Sequence, residues 1–466
     1  MDDGFLQKPH QLSWRFPATF WFANGAELFE RAAFYGMFIA LSVYLTRNIG
    51  FSDIGTGIVS AGFACVLYLL PTFMGALADR IGFRRALLLA FALLTVGYAL
   101  LGLAGHSALA GVGAKLVAVV SLAVIMFGGA MVKPVISGTV AKCSDAEHRA
   151  RAFSIFYFVV NIGAFTGKSL AAPLRTSLGM VYVNYYAAAM AGLALLWVAA
   201  FYRNIDGPAS RRTLQDLLAG LSTVVRNFRF MSLILVVAGF WALQGQLYAS
   251  MPKYVLRMVG ETAKPEWLAN INPAVVVLLV VPVTHLVRRV RPENSIAIGI
   301  FMISCSMLCI GLSSRLESVA GHSVSFFGGW LRLHPVTVVL ILGIALQGFA
   351  ECFLSPKFLE YASKQAPPGQ EGLYMGYQYL TTSAAWALGF VMSGFLLNAF
   401  CPDPQKLAPD IHAAWQAGIA SGAPLPQVYA HAHYIWYVFC GIGALALVAL
   451  LVFKLVTNRI DQTRTQ

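Results

Sequence analysis

The stretch ELFERAAFYG, residues 27–36, places Glu27, Glu30 and Arg31 at i, i+3 and i+4 inside the otherwise apolar run FPATFWFANGAELFERAAFYGMFIALSVYL. On a helix that spacing puts all three on one face. A charge near the centre of a bilayer costs about 2.5–3.5 kcal/mol on insertion scales, so this face must turn to the protein interior or to a water-filled cavity. Arg31 can satisfy one carboxylate, which leaves the other without a partner on its own helix. A carboxylate so placed can take up and release a proton. The chemistry in view is proton transfer; the alternative is an ion cluster that only locks helices together.

Two further charges lie in apolar runs. Lys133 precedes Pro134 in GGAMVKPVISG, and Glu351 lies five residues before Pro356 in GFAECFLSPKFLEYA. A lysine and a glutamate at similar depth on facing halves of a bundle can form an ion pair that breaks and re-forms as the halves rock. A static pair, or two separately solvated charges, is the alternative. Other chemistries find no support. The cysteines are scattered, odd in number and without a CxxC pair, and Cys305 and Cys309 read as small apolar residues one turn apart. The histidines form no ligand set, HAH at 431–433 reads as a solvated helix mouth, and neither a metal site nor a catalytic nucleophile–base constellation is expected. No GxxxxGK[ST] phosphate loop occurs, so ATP is not implied and no cofactor is expected beyond a proton gradient.

These charges need a membrane scaffold. Of 466 residues, 58% are hydrophobic and 11% charged, against roughly 25% charged in soluble proteins. Most of the surface must therefore face lipid, in a multi-pass protein. The start, MDDGFLQKPHQLSWRF, lacks a basic segment followed by a short apolar core, so no cleaved signal peptide is expected and the first span serves as the insertion signal. Apolar runs predict twelve spanning helices at 17–46, 53–77, 84–104, 113–141, 150–174, 179–202, 229–256, 267–287, 294–314, 335–362, 372–400 and 431–456.

An even number of spans puts both termini on one side. Most of the 33 Lys and Arg fall on that side, in DRIGFRR (79–85), the Arg pair at 211–212 and RRVR (288–291) among others. The opposite side holds Arg47, Arg175, Lys253, Arg257, Lys264, Arg315, Arg332 and Lys406, while Arg31, Lys115, Lys133 and Lys168 lie within helices. The bias predicts cytoplasmic termini, and the net charge of +13 becomes an orientation signal rather than a nucleic-acid footprint. The connection 203–228 divides the chain into six-helix bundles at 1–202 and 229–466, and its LQDLLAGLSTVV can form an amphipathic helix on the membrane surface. Short Arg-rich connections after the second and eighth helices suit a two-fold repeat around a central cavity. The segment 401–430, rich in Pro, Ala and Gln, reads as an ordinary loop. The fold class expected is an all-α membrane protein.

GALADRIGFRR (75–85) resembles the loop signature of the major facilitator superfamily, and ELFERAAFYG resembles the ExxERFxYYG motif of its proton-dependent oligopeptide transporter family. Glu27, Glu30, Arg31, Tyr35 and Gly36 match; Ala32 and Phe34 replace the usual Phe and first Tyr. GGAMVKPVISG, FSIFYFVVNIGAF (153–165), NINPAVVVLLVVP (270–282) and ECFLSP (351–356) are similar to family motifs in helices four, five, eight and ten, in that order, so the resemblance covers roughly 17–456. It implies that Glu27, Glu30 and Arg31 couple transport to protons, and that Lys133 and Glu351 pair between halves and touch substrate. It further implies that Phe34, Tyr35, Tyr68, Asn161, Trp241 and Asn272 line the substrate site.

Two departures are paired. Where the family has an arginine three residues after the motif's last tyrosine, this chain has Phe38; where it has a carboxylate in helix seven, this chain has Gly245. Losing one alone would strand a buried charge at a cost of several kcal/mol, so the joint loss is coherent. Lys168, seven residues after Asn161 and on the same helical face, can supply a replacement cation towards the outer end of the cavity, or snorkel to the interface. The two extra helices of the family's bacterial members have no room in 203–228. The expectation is a symporter of di- and tripeptides or peptide-like solutes, a monomeric transport unit in the plasma membrane of a bacterium. A relative moving a non-peptide solute and a proton-driven drug exporter are the alternatives.

Overall fold

The computed structural model describes residues 16–106, 111–145, 148–203, 214–365 and 379–465. Eleven helices are long and apolar enough to cross a membrane, and a bent pair makes a twelfth span. The first six spans are Ala18–Arg47, the bent Asp53–Leu69 and Pro71–Ile81, Phe83–Ala104, Val112–Lys142, Arg149–Ser177 and Met180–Phe201. The seventh runs from Phe228–Gln244 through Gln246–Ala249 into Met251–Met258, and the eighth is Pro265–Leu268 followed by Ile271–Leu286. The last four are Pro292–Gly311, Pro335–Gln365, Tyr379–Phe400 and Tyr434–Thr465. Residues 372–378 of the predicted eleventh helix lie outside the described residues.

Prolines account for the breaks and for part of what joins the halves. Pro71 bends the second span by 52° because its ring cannot continue the hydrogen-bond ladder. Pro252 interrupts the seventh span, predicted as one helix over 229–256, and frees the Tyr248 carbonyl. Ser42 of the first span donates its hydroxyl to that oxygen at 3.1 Å. Pro173 likewise frees the Ser169 carbonyl of the fifth span, which accepts from Trp267 Nε1 of the eighth at 3.1 Å. In both cases a donor from the opposite half supplies the missing bond.

Elsewhere small residues set the contacts. The second and eleventh spans run alongside each other across the two halves. A Cβ on Gly57 would lie 2.6 Å from the Phe390 carbonyl, and one on Gly394 2.7 Å from that of Asp53, so only glycine permits this approach. Within the first half, the first span packs on the fifth and sixth; within the second, the ninth packs on the tenth and twelfth.

The connections correct one expectation and add structure where none was expected. Within 401–430, Pro409–Ser421 is a helix rather than loop, ended by the left-handed Gly422. Between the ninth and tenth spans, the helix Ser313–Ala320 leads into a two-stranded hairpin of Val324–Phe326 and Leu331–Leu333, with Val324 opposite Leu333. The amphipathic segment of the central connection forms the helix Leu214–Arg226, where Val224 packs on Phe230 and Ile234.

Candidate functional site

The first span carries its charges buried. Arg31 Nε bonds to Glu30 Oε2 and lies 3.2 Å from Glu27 Oε1. Both glutamate side chains are 1% exposed and that of Arg31 is 12%, so Arg31 is the member nearest to solvent. Arg31 thus pairs with both carboxylates, where the spacing suggested that one would be left without a partner; among the described residues Glu27 Oε2 has no hydrogen-bond partner. The hydroxyl of buried Tyr98, from the third span, also lacks a partner and lies within electrostatic reach of Glu30. Phe34 and Tyr35 present their rings 5.5 and 5.9 Å from the Arg31 guanidinium carbon.

Glycines hold this cluster against the fifth span. A Cβ on Gly163 would lie 2.7 Å from that of Arg31, and one on Gly167 would collide with the Ala32 carbonyl. The helices therefore touch backbone to backbone at the charged turn.

Lys133 sits with this cluster. Its Nζ lies 4.7 Å from the ring centre of Tyr379, and Glu27, Glu30 and Tyr68 are within electrostatic reach. No carboxylate among the described residues lies within 4.0 Å of it, so the expected ion pair with Glu351 is not formed in this structure. Glu351 has other company. Gln244 Nε2 donates to its Oε2 at 3.0 Å, and Asn272 lies beside it with its own Nδ2 unpartnered.

Lys168 lies within electrostatic reach of Glu351, without an ion pair between them among the described residues. It is 1% exposed rather than snorkelling to the interface. Its Nζ donates to the Ala269 carbonyl at 3.1 Å, across to the eighth span, and lies 5.7 Å from the ring centre of Tyr35.

The two departures are filled by aromatic packing. Phe38, 1% exposed, stacks on Trp386 at 5.3 Å and 9°, and packs on Tyr248 at 5.0 Å and Phe34 at 5.0 Å. A Cβ on Gly245 would approach the same Trp386 ring at 3.8 Å. Where the resemblance implies a charged pair, a cross-half aromatic stack stands. Tyr68 joins it, 5.1 Å from Trp386. Trp241 packs against the cores of both halves. Asn161 does not join the group: its Nδ2 bonds to the Tyr157 carbonyl of its own helix.

A second charged region closes the end remote from the termini. Asp53, at the start of the second span, takes Lys253 Nζ at 2.8 Å and both terminal nitrogens of Arg257 at 2.8 and 3.0 Å, all three side chains 3% exposed. Arg257 also donates to the Cys401 carbonyl at 2.5 Å. Nearby, Arg175 bonds to Glu266 at 2.5 Å, Glu261 at 3.0 Å and the Ala263 carbonyl at 3.0 Å, and Arg47 pairs with Glu261. A hollow of about 500 Å³ lies among Arg47, Arg175 and Glu261. Sequence reasoning counted Arg47, Arg175, Lys253 and Arg257 only as charges on the side opposite the termini; no local spacing marks partners 86 to 214 positions away. Tyr98, Tyr248, Tyr379 and Trp386 were equally invisible as single aromatics in apolar runs.

The twelve spans, the break between halves and the buried charges describe a membrane transporter. The family model for the Major Facilitator Superfamily matches residues 25–329, and the chain belongs to that superfamily. It is similar to Dipeptide and tripeptide permease A of Klebsiella pneumoniae (strain 342), 24% identical over 432 residues, 79% of this chain and 82% of the relative. It is also similar to Multidrug resistance protein MdtH of Photorhabdus laumondii, 24% identical over 368 residues, 78% of this chain and 83% of the relative. Among solved structures, a POT family transporter in complex with 5-aminolevulinic acid superposes with a TM-score of 0.71 at 18% identity, covering 95% of this chain and 97% of that one. The peptide transporter POT in complex with sulfate gives 0.68 at 20%, covering 97% of each chain.

Proposed function

We propose that the chain is a proton-coupled symporter of di- and tripeptides or peptide-like solutes, working by alternating access. It resides in a bacterial inner membrane with both termini in the cytoplasm, the orientation favoured by the Lys and Arg bias. The observation that carries this reading is the buried Glu27–Glu30–Arg31 cluster with its unpartnered Glu27 oxygen, set close to Lys133. Without proton exchange such a cluster is expensive in lipid and has no use.

The end remote from the termini is held by ion pairs between the halves, as a state closed on that side requires. A proton taken up by Glu27 or Glu30 weakens the hold on Arg31, the member nearest to water. Lys133, the next cation in reach, then feels less negative charge. Glu351, Gln244 and Asn272 offer an acceptor-rich site for a substrate amino group, walled by Phe34, Tyr35, Tyr68 and Trp241. The proton gradient supplies the driving force, with a single chain as the transport unit.

A second reading has one observation behind it. The Phe38–Trp386–Tyr248 stack puts packed apolar rings where a charged pair would select carboxylates, which suits an exporter of drug-like compounds. Uptake of a mixed di- and tripeptide library into proteoliposomes, with and without an inward proton gradient, separates the two. Gradient-dependent accumulation of peptides supports the symporter; accumulation of none, with gradient-driven dye movement, supports the exporter.

A further inference from the structure

Among the described residues the site holds three cations, Arg31 and Lys133 half-buried and Lys168 buried, and the first two are committed. Arg31 is bonded to Glu30 and Glu27. Lys133 lies against Tyr379 within the field of the same carboxylates. Lys168 is different. Among the described residues its one hydrogen bond is to a neutral carbonyl, that of Ala269, on the opposite half. An ammonium has three donors, and a buried one held by a single neutral acceptor keeps most of its desolvation cost. The carboxylate within its electrostatic reach is Glu351, again on the opposite half, and the face of Tyr35 lies below it.

Opening of the end remote from the termini must carry the eighth span, and Ala269 with it, away from the fifth. Lys168 then loses that bond, and Glu351, in the same half as Ala269, draws away with it and leaves room between the two charges. A solute with an amino group and a carboxylate fits between two such poles. Its amino group replaces Lys168 as counter-charge for Glu351, and its carboxylate replaces Ala269 as acceptor for Lys168. Each insertion exchanges a distant attraction for a charge-assisted hydrogen bond.

We propose that Lys168 is the residue that binds the carboxylate of the transported solute, with Glu351 as the opposite pole. The assignment rests on the transporter reading above and names its substrate class: small amphoteric molecules whose carboxylate is free. Closing the outer end returns Lys168 to Ala269 and releases the carboxylate, so the same bond that seals the gate competes with substrate.

The test is counterflow in proteoliposomes with dipeptides, free amino acids and other small zwitterions, each paired with its amide. Wild type, Lys168→Gln and Lys168→Arg are compared after their monodispersity has been checked. The wild type should prefer acid over amide by about tenfold or more, since a site built to bond a charged group rejects the analogue lacking it. Lys168→Gln should transport both alike, at the amide's KM. Should the glutamine variant fail to fold, Lys168→Arg carries the test: its KM should rise for acids and stay unchanged for amides. An undiminished acid preference in Lys168→Gln, unchanged KM values in Lys168→Arg, or a wild type indifferent to amidation would overturn the assignment. Transport of other zwitterions but no dipeptide sinks the peptide reading alone, and the same comparison then runs on the solute that is moved. No transport of any amphoteric solute overturns both.

Discussion

Two groups of buried charge occupy this chain, and they are built in opposite ways. Glu27, Glu30 and Arg31 belong to one helical turn and move together whatever the bundles do. Asp53, Lys253 and Arg257 come from the second and seventh spans, in different halves, and must part when the far end opens. The first group can change its charge without changing its neighbours; the second can change its neighbours without changing its charge. A local cluster suits a proton store, and a divided one suits a latch.

The largest effect should fall on the latch. Asp53→Asn leaves Lys253 and Arg257 buried without a counter-charge, which costs about 3–5 kcal/mol in the closed arrangement. Cys401, fully buried where its carbonyl accepts from Arg257, is a native reporter. Its labelling by a membrane-impermeant thiol reagent, read by peptide mass spectrometry, should rise steeply, and unchanged labelling would remove the latch. Next, Glu27→Gln or Glu30→Gln should lower gradient-driven accumulation by about 100-fold, the upper range of a coupling energy between sites. Substrate exchange without a gradient should survive, and full concentrative uptake by both variants would undo the proton assignment.

Smaller effects sharpen the contrast. Arg47→Ala breaks a pair whose Glu261 partner is 58% exposed, so its cost should stay below about 1 kcal/mol in thermal unfolding. A loss as large as that of Asp53→Asn would mean that the rim, not the buried triad, holds the end shut. Least of all, Lys133→Ala and Glu351→Ala should be additive in stability to within about 0.5 kcal/mol, since they are not paired in this state. A larger coupling would restore the direct pair that the sequence suggested.

What was legible followed from periodicity. Apolar runs gave the spans because lipid demands long helices, and the i, i+3, i+4 spacing gave the helix-one cluster because one turn fixes it. Counting charges left one carboxylate over, yet Arg31 reaches both, and the second oxygen of Glu27 stays unpartnered among the described residues. Lys133 and Glu351 are half-buried charges, and the pairing assigned to them is not formed in this state: depth along a helix says nothing about its rotation. Lys168 bonds to the Ala269 carbonyl within electrostatic reach of Glu351, and Lys133 lies against Tyr379. Asp53 follows the capping residue Ser52 and reads as ordinary first-turn acid, so nothing local announces its two cationic partners. The short helix Pro409–Ser421 escaped notice because its composition resembles that of a loop.

The glycine contact between the first and fifth spans has a mechanical result. Gly163 lies under Arg31, Gly167 under Ala32, and Lys168 is the next residue along. With no slack at that seam, the two helices tilt as one rigid lever. The hydrogen-ion store and the ammonium that greets the cargo then keep a constant spacing through every stroke, and the strokes themselves fall to the eighth and tenth spans across the divide.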